Sequence, residues 1–309
     1  MPDFLEIASL SRDDLRRILA TAHTLKSARG SLPRGAPDPS PALDGHMAAL
    51  LFEKPSTRTR LSFDIGVRQL GGQSVVLSSQ DLHLGQGGET IGDTAAVLSR
   101  YVDLIMIRTF AGDTLHEMAR HASVPVINGL SNESHPCQIM ADIMTFEERA
   151  GTIEGKQIAW LGSGNNVCCT MMEAAAVFGF AMAISGPDHA LPSRERLLGA
   201  RAAGAEIRVM SDAREAVREA DLIVTDVWQS MHETEMANLE DLFLPYQVND
   251  DLMSAAPNSA LFMHCLPAHR GMEVTSTVLD GPHSVVLDEA ENRLHVQKAI
   301  MLWCLGRLD

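Results

Sequence analysis

Basic side chains are scarce: 25 Lys and Arg stand against 40 Asp and Glu in 309 residues, a formal charge of −15. That balance excludes general attraction to nucleic acid or anionic lipid, which needs basic stripes, so an anionic ligand must find a locally basic site. Cysteine is equally sparse and unpatterned. Cys137, Cys168, Cys169, Cys265 and Cys304 form an odd set without the C-x-x-C pairs of zinc ribbons or thioredoxin-like sites, which points to a reduced, cytoplasmic chain. The start, Met1, Pro2 and Asp3, has no basic-then-apolar run behind it, so no signal peptide is expected. Residues 167–187 carry a single charge, Glu173, yet Gly162, Gly164 and Gly179 mark strand, turn, helix and strand there instead of a membrane span. With 45% apolar and 21% charged residues the composition is globular, and the length predicts two domains.

Residues 11–29 read as a helix, with Ser11 as N-cap and Leu15, Leu19, Ala22 and Leu25 at helical spacing. Three glycines and four prolines between Gly30 and Gly45 make the next stretch a loop. Apolar runs at 47–52, 74–77, 103–107 and 124–128 then alternate with helical stretches near 56–70, 90–100 and 113–122. After a helix at 136–149 the alternation restarts, with strands expected at 157–161, 180–184, 206–209, 221–225, 260–263 and 284–287 and a last helix at 289–305. The predicted fold is α/β: two doubly wound, mainly parallel sheets with flanking helices and an active-site cleft between the domains. The domains are expected at 1–147 and 148–288, with the C-terminal helix packing back on the first.

In such folds ligands sit beyond the carboxyl ends of the strands. Lys54, Ser56, Thr57, Arg58, Thr59 and Arg60 follow the first strand and open a helix. Each cation there is disfavoured by the helix dipole by about 0.3–1 kcal/mol, a penalty that a bound anion reverses. The alternative is a solvated basic turn. Arg108 ends the third strand, and His135 with Gln138 follows the fourth. Either could grip a ligand, or serve only as an ion-pair partner or a helix cap. Residues 161–167 open like a dinucleotide fingerprint, but Val167 stands at the third glycine position and no acid ends the next strand at Ile184. The glycines there suit a tight turn, with Asn165 and Asn166 facing the cleft or capping the helix. Asp226 follows the eighth strand. His264, Cys265 and His269 follow the ninth and offer three zinc ligands without a fourth; buried packing is the alternative for Cys265.

Taken in order, residues 56–60, His135 to Gln138, Asp226 with Ser230 and Met231, His264 to Pro267, and Glu289, Ala290, Glu291, Asn292 and Arg293 resemble the transcarbamylase family, on its ornithine carbamoyltransferase branch. The likeness runs from about residue 4 to 305. It implies transfer of a carbamoyl group from carbamoyl phosphate to the side-chain amine of L-ornithine, without metal or organic cofactor, in arginine metabolism. By the same resemblance Ser56, Thr57, Arg58, Thr59, His83, Arg108, His135, Gln138, Cys265, Leu266 and Arg293 bind carbamoyl phosphate, and Asn166, Asp226, Ser230 and Met231 hold ornithine. Cys265, Arg108, His135 and Asp226 act in the chemistry. A homotrimer and a cis bond between Leu266 and Pro267 are further implications. The sequence departs from the family pattern at His83, where glutamine is usual, and at His232, where glycine is usual. These departures leave two alternatives in view: another amine acceptor, such as a modified ornithine or a diamine, or a non-catalytic anion-binding paralogue.

Overall fold

The computed structural model describes residues 1–78, 88–229 and 238–308. The chain divides into two compact units, Met1–Ala141 with Glu291–Asp309, and Asp142–Ala290. In the first, α1 (Arg12–Arg29) precedes β1 (Met47–Phe52), α2 (Thr57–Gln69), β2 (Gln73–Ser78), α3 (Ile91–Leu98), β3 (Leu104–Arg108), α4 (Gly112–His121) and β4 (Val126–Leu130), and α5 (Pro136–Ala150) leads out. The strands form a parallel sheet in the order β2-β1-β3-β4. β1 lies inside that sheet with helices over it, which is why it is almost wholly apolar. Its Ala49 and Leu51 pack with Ile105, Ile107, Leu115 and Met118. The outer edge of β4 is covered by Phe4, whose N–H donates to the Val126 carbonyl at 2.9 Å.

The proline-rich loop after α1 is fastened by a buried carboxylate. Asp38 takes Arg29 Nη1 on one oxygen and Lys298 Nζ on the other, each at 2.5 Å. Lys298 also donates to Gln69 Oε1 at 3.2 Å. One acid thereby ties the end of α1 to the last turn of α2 and to residues near the C-terminus.

The second unit runs β5 (Gln157–Leu161), α6 (Asn166–Phe178), β6 (Ala181–Ser185), α7 (Arg194–Ala202), β7 (Glu206–Met210), α8 (Ala213–Val217), β8 (Leu222–Thr225), α9 (Leu239–Phe243), α10 (Asp250–Met253), β9 (Leu261–His264) and α11 (Ser276–Leu279). α12 (Val286–Cys304) follows. This sheet is parallel in the order β7-β6-β5-β8-β9. Its core sets Ala159, Leu161, Ile223 and Phe262 against Val217, Val248, Val274 and Val286.

Strand order reverses once in each unit, between β1 and β3 and between β5 and β8. These switch points are where an open α/β sheet leaves a crevice beyond its carboxyl edge. The expected strand at 284–287 is not formed: Ser284 makes a single bridge to Phe262 and α12 begins at Val286, with Asp288 and Glu289 in its first turn. Acids there favour the helix dipole and convert an apolar pair that reads as strand into a helix start. Among the described residues, no helix is long and apolar enough to cross a membrane.

Candidate active site

At the first switch point Ser56 caps α2, its hydroxyl accepting the Thr59 N–H at 3.3 Å. Ser56 and Arg58 are half-buried, Thr57 and Arg60 are exposed, and Thr59 is fully buried. The Thr59 hydroxyl accepts Arg293 Nη2 at 2.8 Å and Arg108 Nη1 at 3.3 Å. Two guanidinium groups thus converge on one neutral oxygen at the positive end of a helix, an arrangement that favours an anion between them. His135, buried just before α5, lies near both. Burial first, then Arg293 and Arg108, push its ring well below the usual histidine range, so it stays neutral. Gln138 is buried in the first turn of α5. Lys54 turns instead to Asn132, its Nζ donating to Oδ1, and stands 4.4 Å over the Phe110 ring. Burial, then Arg108, lower it to about 8.

At the second switch point Asp226 follows β8. Its Oδ1 accepts the Val227 N–H at 2.8 Å and the Cys265 thiol at 3.0 Å, and its Oδ2 accepts Asn165 Nδ2 at 2.7 Å. Burial first, then the Asp226 charge, push the thiol well above its ordinary value, so Cys265 is a hydrogen-bond donor and not a thiolate. Leu266 beside it has φ +57°, and the Leu266–Pro267 bond is cis. Asn166 opens α6 and is half-buried. His83, Ser230 and Met231 lie outside the described residues, as does His232.

Asn165 is the residue that sequence reasoning used least. Its Oδ1 caps α6 by accepting the Val167 and Cys168 N–H groups, which a Gly-Ser-Gly-Asn turn before a helix signals. Its second task, orienting Asp226 from 61 positions away, leaves no local trace.

The dinucleotide likeness of this turn is not functional. Gly164 N–H donates to the Ala190 carbonyl at 2.7 Å, and a Cβ at 164 would stand 2.2 Å from Pro192. The turn is therefore covered by the chain's own backbone where a pyrophosphate would have to approach. Nor do His264, Cys265 and His269 assemble as a ligand set. His264 Nε2 bonds Glu273 Oε1 at 3.1 Å, and His269 Nδ1 lies 3.8 Å from Glu273 Oε2. Asp226, His264 and Cys265 do offer ligand atoms within 4.8 Å of one another. His264 Nδ1, however, already accepts the Leu266 N–H.

Two family models match: the carbamoyl-P binding domain of aspartate/ornithine carbamoyltransferases over residues 2–148, and the Asp/Orn binding domain over residues 154–304. The chain is 58% identical to an ornithine carbamoyltransferase of Paracoccus denitrificans, covering 99% of this chain and all of that one. Among solved structures, ornithine carbamoyltransferase from Pyrococcus furiosus aligns with a TM-score of 0.93 at 43% identity over 100% of this chain and 98% of that one. The enzyme from Burkholderia thailandensis aligns at 0.90 and 43% over the whole of both. With likeness across both units, arginines at the first switch point and a thiol at the second, the chain belongs to the aspartate/ornithine carbamoyltransferase family.

Proposed function

We propose that this chain transfers the carbamoyl group of carbamoyl phosphate to the side-chain amine of L-ornithine, giving L-citrulline and inorganic phosphate. The observation that carries this reading is the convergence of Arg108 and Arg293 on Thr59 at the positive end of α2. The first unit then holds carbamoyl phosphate: Ser56, Thr57, Arg58 and Thr59 receive the phosphate, while Arg108, His135, Gln138 and Arg293 receive the phosphate and carbonyl oxygens. The second unit presents ornithine through Asn166, Asp226, Ser230 and Met231, with Cys265 and Leu266 beside the reacting carbon. His83 belongs to the site of a neighbouring copy in a homotrimer. The reading places the chain in the cytoplasm, in arginine metabolism, and assigns no step to a metal or organic cofactor.

An alkylamine with a pKa of about 10.4 is mostly protonated at pH 7, and selecting its neutral form costs about 4.6 kcal/mol. Asp226, fixed by Asn165, Val227 and Cys265, orients the amine while its proton leaves. The amine nitrogen attacks the carbonyl carbon, negative charge gathers on the carbonyl oxygen, and the C–O bond to phosphate breaks. The carbonyl re-forms as phosphate departs with the electron pair of that bond, and the phosphate accepts the proton that the attacking nitrogen sheds. A neutral His135 donates to the growing oxyanion alongside Arg108 and Thr59, and one well-aimed donor of this kind contributes about 2.7–4 kcal/mol. The test is citrulline formation from both substrates between pH 7 and 9, with a diamine and a modified ornithine run in parallel. Absence of citrulline with the purified protein sinks the reading.

A further inference from the structure

The turn that carries Cys265 is held from behind by buried groups that take no direct part in the proposed chemistry. His264 ends β9, and both it and Glu273 are fully buried. Leu266 N–H donates to His264 Nδ1 at 2.9 Å. A neutral imidazole that accepts at Nδ1 carries its proton on Nε2, and Nε2 lies 3.1 Å from Glu273 Oε1. The His269 backbone N–H donates to the same carboxylate oxygen. On the other side of the thiol, the His264 N–H donates to Glu289 Oε2 at 3.0 Å. The backbone is therefore pinned at residues 264 and 266, with Cys265 between. Leu266 has φ +57°, which a leucine adopts only when its surroundings impose it.

We propose that Glu273 and His264 are positioning residues: the carboxylate sets the imidazole so that Nδ1 accepts from Leu266, and this contact holds Leu266 left-handed and keeps the Cys265 thiol aimed at Asp226. The inference rests on the function proposed above for its consequence in turnover, but the hold itself is a property of the second unit. A packing role asks only for volume at 273 and 264. The relay asks for an acceptor facing Nε2 and an acceptor facing the Leu266 N–H.

Glu273→Gln and Glu273→Leu separate these roles, because both remove the charge at similar volume and only glutamine keeps an acceptor. Of the five free cysteines Cys265 alone is half-buried, so its labelling by 5,5′-dithiobis(2-nitrobenzoate) reports the turn without reference to activity. Displacing a reacting group by an ångström can cost about a hundredfold, so Glu273→Leu is expected to lower kcat at least about tenfold. Its Cys265 labelling should accelerate by at least about as much, with KM for carbamoyl phosphate within about twofold of wild type. Glu273→Gln should stay within about threefold of wild type in both readouts. Wild-type labelling and turnover in Glu273→Leu, or an equal decline in both variants, overturns the relay. Should Glu273→Leu not fold, His264→Asn and His264→Gln decide. Asparagine places its amide oxygen where Nδ1 accepts and should label slowly, glutamine places it at Nε2 and should label fast, and equal rates overturn the proposal. If the wild type forms no citrulline, the assigned function falls while the labelling comparison still tests the hold.

Discussion

Thr59 shows how much one hydroxyl can organise. Its oxygen accepts from Arg108 and Arg293 together, setting the separation and tilt of two cations that would otherwise spread apart. Hydrogen bonds to charged groups contribute about 1.5–3 kcal/mol, so Thr59→Val is expected to raise KM for carbamoyl phosphate by about ten- to a hundredfold, while Thr59→Ser keeps most of the affinity. Steady-state kinetics at fixed ornithine measures this. His135 gives a pH signature. Its folded-state value lies well below that of an exposed histidine, and His295 is likewise lowered, to about 3, by burial and then Lys298. A depressed value means the stability is present above the unfolded value near 6.5 and is lost as pH falls below it. The melting temperature should therefore drop between pH 7 and 5, and His135→Gln should shallow that drop, as calorimetry across the range would record. The positions of Thr59 and Arg108 after strand ends were legible from alternating apolar runs alone. That Arg293 would join them was implied only by the family resemblance, since it comes from a helix 234 residues beyond Thr59.

Elements were legible where one physical signal dominated. Apolar runs gave β1 and β5 to the residue, because both are interior parallel strands, β1 wholly apolar and β5 apolar after its first residue, Gln157. Residues 284–287 misled because two valines beside a bridge look like strand until the following acids are weighed as a helix start. The loop after α1 read correctly as irregular, but nothing local announced that its Asp38 pairs with both Arg29 and Lys298. Removing that one partner leaves two buried cations uncompensated. Asp38→Ala is thus expected to destabilise the protein by about 3–5 kcal/mol, read from urea denaturation. A change of under 1 kcal/mol would show that the cations find other partners.

For the whole molecule, length alone anticipated two units, and the first is assembled from both ends of the sequence, Met1–Ala141 with Glu291–Asp309. Its C-terminal piece contributes buried Val296, Ile300, Met301, Leu302 and Trp303 as well as Lys298 and Arg293. At about 1.5–3 kcal/mol for each large apolar side chain, losing them approaches the 5–15 kcal/mol that holds a typical domain together. A chain stopped after Ala290 is expected to lack the cooperative melt of the first unit and to precipitate. A soluble product melting near wild type would contradict this.

That arrangement also sets an order of events during synthesis. Thr59, Arg108, His135 and Gln138 leave the ribosome long before Arg293, so an emerging polypeptide carries an unfinished anion cradle until that arginine has followed. A growing chain therefore cannot capture carbamoyl phosphate early, and the ligand rewards only a product whose final helix has already docked.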